Sequence, residues 1–131
     1  MSKFMNRFIF LLAFLAGLHL SGNAQSFDNI ADAIRTGNAS ALAEYFQGNV
    51  EISVKDAQNS YSKSQAEVVL RNFFSSHVPR SFAIAHQGSS PEGSKYFIGN
   101  LATSAGNYRA YVYAKQSGGS FVIQEIRFEE Q

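Results

Sequence analysis

The part of the chain that most constrains the fold is its C-terminal third, residues 80–128. Four runs rich in Phe, Tyr, Ile and Val follow one another there, at residues 81–87, 95–104, 108–116 and 120–128. Such runs are typical of β-strands. They are separated by turn residues, at 88–93 around Pro91, at Gly106-Asn107 and at Gly118-Gly119. This pattern predicts four antiparallel strands joined as a meander.

Two-residue turns also predict which residues stand opposite each other, and therefore which residues share a face of the sheet. We expect Ala105 opposite Tyr108, Ser117 opposite Ser120, and a four-residue loop at 89–92. We call the face toward the helices the inner face and the other the outer face. The predicted inner face contains Phe82, Ile84, His86, Phe97, Gly99, Leu101, Thr103, Ala110, Val112, Ala114, Phe121, Ile123, Glu125 and Arg127. The predicted outer face contains Ala83, Ala85, Tyr96, Ile98, Asn100, Arg109, Tyr111, Tyr113, Lys115, Val122, Gln124, Ile126 and Phe128.

The first 24 residues have the pattern of a secretory signal peptide. Lys3 and Arg7 form a basic start, residues 8–20 are an apolar run that is short for a membrane span, and Gly22-Asn23-Ala24 offers small residues for cleavage. Cleavage after Ala24 would leave one domain, residues 25–131, which we expect to be soluble and periplasmic or extracellular. An uncleaved N-terminal membrane anchor is the alternative interpretation.

The composition of the remaining chain excludes several classes of function. Taking 24 residues from 131 leaves 107, and taking Lys3 and Arg7 from the eleven basic residues leaves nine, against ten acidic residues. Such a near-neutral chain without a basic run is not suited to nucleic acid or an anionic membrane surface. The absence of Cys excludes disulfides and thiol chemistry. His77 and His86 have no clustered ligands beside them, so we expect no metal site and no cofactor.

Two helices are predicted ahead of the first strand. Residues 27–34 have apolar side chains at helical spacing, Ser26 is a suitable N-cap, and Gly37 ends the helix. Asn38 is suited to cap a second, short helix that Gly48 closes.

A strand and a longer helix follow. Residues 50–54 are rich in β-formers and precede a polar turn at 56–60. Ser64 and Glu67 have the spacing of a capping box, which predicts a helix running to about His77. Its apolar stripe consists of Ala66, Val69, Leu70 and Phe73, with Phe74 beside it. The element order is therefore α-α-β-α-β-β-β-β.

This order resembles the nuclear-transport-factor-2-like superfamily, the cystatin-like cone, over the whole of residues 25–131. The residues that carry the resemblance are 30–38 (IADAIRTGN), Leu42, Phe46, 50–54 (VEISV), 66–74 and 119–123 (GSFVI). More narrowly, 61–67 (YSKSQAE) and 123–127 (IQEIR) look like a small family of exported domains of unknown function. The resemblance implies an α+β fold in which a curved antiparallel sheet wraps a long helix. The superfamily includes isomerases, dehydratases, binding modules and dimerisation modules, so the fold does not specify an activity.

An acid–base enzyme on such a cone needs a carboxylate or His inside the cavity, near a second polar group. The weak catalytic candidates on the predicted inner face are Glu125 and His86, which the register places toward opposite ends of the sheet. A Glu125–Arg127 ion pair at the mouth of the cone, and a hydrogen-bonded His86 at a strand end, are the simpler interpretations. A lyase or isomerase acting on a small carbonyl compound, with Glu125 or His86 as base, is the enzymatic alternative.

Two non-catalytic hypotheses involve binding. The first is a pocket in the cone for a small apolar or amphipathic ligand, because small residues such as Gly99 leave room. Its predicted lining is Val69, Phe73, Phe74, Phe82, Ile84, Phe97, Gly99, Leu101, Val112, Ile123 and Arg127. The second is a homodimer through an apolar patch on the outer face. Its predicted interface is Tyr96, Ile98, Tyr111, Tyr113, Val122, Ile126 and Phe128.

Export can be tested on the protein recovered from a secreting bacterial host. We expect intact mass and N-terminal sequencing to give a chain that begins at Gln25, because Ala24 ends the cleavage site. A chain that keeps Lys3 and Arg7 and stays with the membrane fraction would instead support the uncleaved anchor.

Overall fold

The computed structural model describes residues 27–131, and the predicted signal peptide lies outside them. The elements are α1 (27–36), α2 (Ala39–Ala43), β1 (Asn49–Val54), β2 (Ala57–Ser62), α3 (Lys63–Ser76), β3 (Pro79–Ser89), β4 (Ser94–Thr103), β5 (Gly106–Ser117) and β6 (Ser120–Glu130). The α+β class and the order of the predicted elements are confirmed, and β2 is an added strand. No helix in this part of the chain is long and apolar enough to cross a membrane.

The first two helices meet at a single dipeptide. Gly37, with φ +66°, donates its N–H to the Ile34 carbonyl, and Asn38 donates to the Ala33 carbonyl at 2.8 Å. These two bonds form a Schellman motif that ends α1. The Asn38 side chain then accepts the N–H of Ala41 at 3.0 Å and begins α2. The predicted end of α1 and cap of α2 are therefore confirmed.

The N-cap of helix α3 lies two residues before the predicted one. The box is made by Ser62, whose hydroxyl accepts the Gln65 N–H, while the Gln65 side chain accepts the Ser62 N–H at 3.3 Å. The predicted pair of Ser64 and Glu67 is wrong because β2 runs directly into the helix, so the cap lies where that strand ends. Glu67 instead forms an exposed ion pair with Arg71, one turn further along.

The sheet has six strands in the order β2-β1-β6-β5-β4-β3, with β1 and β6 parallel and the other neighbours antiparallel. The sequence predicts a polar turn at residues 56–60, but the turn is the dipeptide Lys55-Asp56, with Lys55 at φ +57°. Strand β2 follows it, pairs with β1 and lies at the edge. Its side chains are polar and mostly exposed, so it lacks the apolar alternation by which a strand is recognised in sequence.

The core lies between the inner face of the sheet and the helices. Phe73 of α3 stacks on Phe128 with ring centroids 4.3 Å apart, and Phe27 of α1 meets Phe97 edge-on at 5.1 Å. The largest fully buried side chains are Tyr108, Phe46, Phe97, Phe128, Ile30, Ile34, Leu42, Ile52, Leu70, Leu101, Ile123 and Ile126.

The turn between β4 and β5 is formed two residues earlier than predicted. Thr103 pairs with Gly106, so Ser104 and Ala105 form the turn and Gly106 follows it with φ +118°. Glycine suits that position, just after a turn whose central residues keep negative φ. The shift is an even number of residues along the ladder, so Leu101 stands opposite Tyr108 rather than opposite Val112, and both strands keep their predicted faces.

A bulge in β6 reverses the faces of its second half. Tyr113 pairs with Glu125 while the next residue, Ala114, pairs with Ile123, which leaves Gln124 as an extra residue. Ile126 and Phe128, predicted on the outer face, are therefore on the inner face with zero exposure. Glu125 and Arg127, predicted on the inner face, lie on the outer face.

A second bulge, in β3, moves the candidate histidine. Ile84 pairs with Gly99 and His86 pairs with Ile98, so Ala85 is the extra residue. His86 therefore lies on the outer face, opposite its predicted position, and is exposed.

Gly99 lies beside this bulge and is covered by an aromatic ring. A Cβ at this position would lie 2.4 Å from two atoms of the Phe82 ring and 2.9 Å from the Ala83 carbonyl oxygen. Glycine is therefore required for the close approach of Phe82. Together with the bulges, such a glycine lets a sheet curve around its helix.

We expect Gly99→Ala to lower the free energy of unfolding by about 1–3 kcal/mol, because the ring and the carbonyl must both move. Gly119→Ala is the matched control, since nothing lies within 4 Å of its added methyl group. That control should change stability by less than about 0.5 kcal/mol. Urea unfolding of both variants measures the difference, and equal midpoints would contradict the close packing of Phe82 on Gly99.

Candidate functional site

The interior of the cone is filled by side chains from α3 and the sheet. Of the residues predicted to line a ligand pocket, those at most 5% exposed are Phe73, Phe74, Phe82, Phe97, Leu101, Val112 and Ile123. Val69 and Ile84 are partly buried and pack against the same cluster. The space above Gly99 holds the Phe82 ring, and Arg127 is on the other face. The room that a small residue was expected to leave is therefore occupied by protein.

The two catalytic candidates are far apart on the outer face. His86 is on β3 opposite Ile98, and Glu125 is on β6 opposite Tyr113. Two strands lie between β3 and β6, which corresponds to about 14 Å at about 4.8 Å per strand. A direct proton transfer needs heavy atoms about 3 Å apart. The two side chains therefore cannot act as one pair, and neither lies inside the cone.

Arg127 is the centre of a charged cluster on the outer face. Its guanidinium donates to Glu125 Oε1 at 3.3 Å and to Glu129 Oε1 at 3.5 Å. It also lies 5.6 Å from the centre of the Tyr111 ring on the neighbouring strand. The predicted Glu125–Arg127 ion pair is thus present, but on the outer face. Pairs this exposed contribute little stability, so the main effect of the cluster is to hold the Arg127 guanidinium over the Tyr111 ring.

The rest of the outer face carries a patch of tyrosine and aliphatic side chains. We call it the tyrosine patch, and it consists of Tyr96, Ile98, Tyr111, Tyr113 and Val122. Tyr113 is 43% exposed, and Val122 is buried although it is outside the core cluster. Tyr96 lies close over Gly88, where an added Cβ would be 2.7 Å from its ring. The patch is smaller than predicted, because Ile126 and Phe128 belong to the core.

A second concave surface lies between the edge strand β2 and helix α3. This groove has a volume of about 710 Å³ and is lined by Asn59, Ser60, Tyr61, Ser64, Gln65, Val68 and Val69. Sequence reasoning missed it because β2 was predicted as a turn. The sequence carries one signal of it, because Val68 is an apolar residue outside the predicted stripe of α3. In the structure this side chain is 49% exposed.

Comparison with known proteins assigns the family. Residues 27–129 match the model of a domain of unknown function, DUF4783. The chain belongs to the DUF4783 family. No curated protein matches the sequence.

Crystal structures of other DUF4783 proteins are similar to this one. A family member from Bacteroides uniformis has 29% sequence identity and a TM-score of 0.74, with 79% of this chain and 95% of that chain covered. One from Bacteroides ovatus has 26% identity and the same TM-score, with 79% and 93% covered. An NTF-2 like protein of unknown function from Silicibacter pomeroyi has 12% identity and a TM-score of 0.61, with 88% and 98% covered. The DUF4783 domain therefore has the nuclear-transport-factor-2-like fold, as the sequence predicts.

The faces of β6 in this DUF4783 domain can be tested with two neighbouring substitutions. We expect Phe128→Ala to lower the free energy of unfolding by about 3–5 kcal/mol, because it removes a fully buried ring. Arg127→Ala should cost less than about 1 kcal/mol, because its ion pairs are partly exposed. Chemical denaturation measures both values. The opposite ranking would mean that β6 has no bulge at Gln124.

Proposed function

We propose that this DUF4783 domain is an exported, non-catalytic module that self-associates through the outer face of its sheet. The observation that carries the proposal is the tyrosine patch. The described helices pack on the inner face, so they do not cover the patch, in which Tyr113 is exposed and Tyr96, Ile98 and Tyr111 are half-buried. Apolar patches on the surface of a single-domain protein often mark interaction sites. Tyr combines a large apolar contact area with a polar hydroxyl group, which suits a surface that is exposed before association.

The charges around the patch favour a second copy as the partner. Arg109 and Lys115 lie on β5. The neighbouring strand β6 carries Glu129, which is opposite Arg109, and Glu125. Neither basic side chain has a carboxylate within 4 Å among residues 27–131. A face that carries both signs can pair with itself around a two-fold axis, with the charges at the rim and the apolar side chains at the centre.

The free energy available to a dimer comes from the surface that the patch still exposes. A large apolar side chain contributes about 1.5–3 kcal/mol when it is fully buried. In the patch, Tyr113 is exposed, Tyr96, Ile98 and Tyr111 are half-buried and Val122 is already buried, so the first four side chains contribute only part of this amount. Their sum must offset the loss of translational and rotational freedom, estimated at about 4–15 kcal/mol. We therefore expect the association to be weak and reversible.

The non-catalytic part of the proposal is supported by the positions of the acid–base candidates. A general base works best where burial and neighbouring groups adjust its affinity for protons. His86 is exposed to solvent, and the carboxylate of Glu125 accepts a hydrogen bond from Arg127. No observation favours the lyase or isomerase alternative, and the buried side chains inside the cone give the ligand hypothesis no support.

The dimer can be tested with Ile98→Glu combined with Tyr111→Glu in the domain that begins at Gln25. Both residues are half-buried in the centre of the patch, so two added carboxylates per copy should repel each other across the interface. We expect sedimentation at tens of micromolar to change from dimer to monomer, with an unchanged circular dichroism spectrum.

Val78→Glu is the control for this experiment, because Val78 is an exposed apolar residue outside the patch. It should leave the dimer intact. The proposal is wrong if the unmodified domain already sediments as a monomer at the same concentration.

A further inference from the structure

The two edges of the sheet differ in how they are protected against pairing with another strand. Edge strand β3 begins at Pro79 and contains two bulges, which leave Arg80 and Ala85 as extra residues. Proline, charge and bulges are features by which proteins block an edge. Strand β2, at the other edge, pairs with β1 through six consecutive residues without a shift and contains neither proline nor charge. Only the β2 edge is therefore regular enough to accept an added strand.

The backbone groups at this edge can be assigned from the ladder. The Lys55 N–H binds the Phe128 carbonyl on β6 at 2.9 Å, so the preceding residue, Val54, points its backbone groups toward β2. The backbone N–H and C=O groups of successive residues point to alternate sides of a strand. Two opposed residues of an antiparallel pair that point toward each other exchange both hydrogen bonds. The backbone groups of Ala57, which is opposite Val54, and of Asn59 and Tyr61 therefore point toward β1. Gln58 and Ser60 face away, and each presents an N–H and a carbonyl to solvent.

The groove between β2 and α3 lies beside these groups. Asn59 and Tyr61 stand opposite Ile52 and Val50, which are buried, so their side chains are on the helix side of the sheet. A strand paired to Gln58 and Ser60 would place its intervening residue beside Asn59, with its side chain on that same side. That side chain would meet the apolar floor of the groove. Its volume of about 710 Å³ is in the range of known binding pockets, about 300–1,000 Å³.

We propose that the β2 edge and this groove bind an extended, uncharged peptide segment by strand addition, with an apolar side chain at every second position. The backbone groups of Gln58 and Ser60 would supply the hydrogen bonds, and Val68 and Val69 would receive the alternate side chains. No lining residue of the groove carries a charge, so a charged segment would lose hydration there without gaining a partner.

The dimensions of the site favour a peptide over a second copy of the domain. A strand of six residues is about 20 Å long, and a contact along it stays well below the roughly 800 Å² per partner that a stable dimer buries. An extended peptide needs no larger surface.

The probe is a blocked six-residue peptide of alternating threonine and valine, added to the ¹⁵N-labelled domain that begins at Gln25. We expect the amide signals of Gln58 and Ser60 to shift, and their hydrogen exchange to slow, with saturation below about 1 mM. The same peptide with aspartate in place of its central valine should bind at least about tenfold more weakly, since the carboxylate would enter an uncharged groove.

Three variants separate strand addition from a general surface effect. Val68→Glu should weaken binding at least about tenfold, whereas Val78→Glu, which changes a valine of similar exposure (51% against 49%), should not. Gln58→Pro removes one outward N–H and keeps the β1–β2 bonds, so it should also weaken binding while circular dichroism stays unchanged. If the proline variant does not fold, Val68→Glu still decides the result.

Several outcomes would overturn the proposal. One is the absence of any shift at 1 mM peptide, and another is equal binding by the Val68→Glu and Val78→Glu variants. A third is a change at Gln58 and Ser60 that depends on protein concentration without peptide, because the occupant would then be a second copy. The Ile98→Glu, Tyr111→Glu variant should bind the peptide normally, so failure of the dimer and failure of peptide binding are distinguishable.

Discussion

The extra residue at Gln124 is the constraint on which the rest of the structure depends. Without it, Ile126 and Phe128 would point away from the helices, and the core would lose the ring that stacks on Phe73. With it, one strand supplies apolar side chains to the core along its whole length. The same phase change moves Glu125 and Arg127 to the outer face. One bulge thus decides both what the core contains and which charges the exposed side of the sheet carries.

Much of the fold could be predicted because glycine, asparagine and apolar spacing act locally. Gly37 and Asn38 end one helix and begin the next by bonds within a few residues, and the sequence alone indicated both. The bulge was harder, yet β6 carries a signal of it: its apolar residues fall at Phe121 and Ile123, then at Ile126 and Phe128, with the phase changed between the pairs. Val122 obscures that break. Strand β2 gave no comparable signal, because an exposed polar edge strand is defined by its neighbour and not by its own side chains.

The candidate site was harder to predict than the fold because a side chain's chemistry depends on the face that it occupies. A carboxylate inside the cone would be a plausible base, whereas the same carboxylate in solvent beside Arg127 is part of a surface ion pair. Gly99 illustrates the same point. A small residue on an inner face suggests room for a ligand, but here the missing side chain admits the ring of Phe82. The volume that one residue leaves is filled by its neighbour on the adjacent strand.

The superfamily fold is shared by enzymes and by proteins that only bind, so the function of this domain must be sought on its surfaces. The two surfaces proposed for binding are geometrically independent. Association through the tyrosine patch would place a second copy of the domain against the outer face. A strand added to β2 would instead extend the sheet at its edge, with its alternate side chains toward α3. Strands β1 and β6 lie between β2 and the centre of the patch on β4 and β5. The two proposals are therefore compatible, because a dimer formed through the patch would leave both β2 edges free and would carry two peptide sites joined through one contact between sheets.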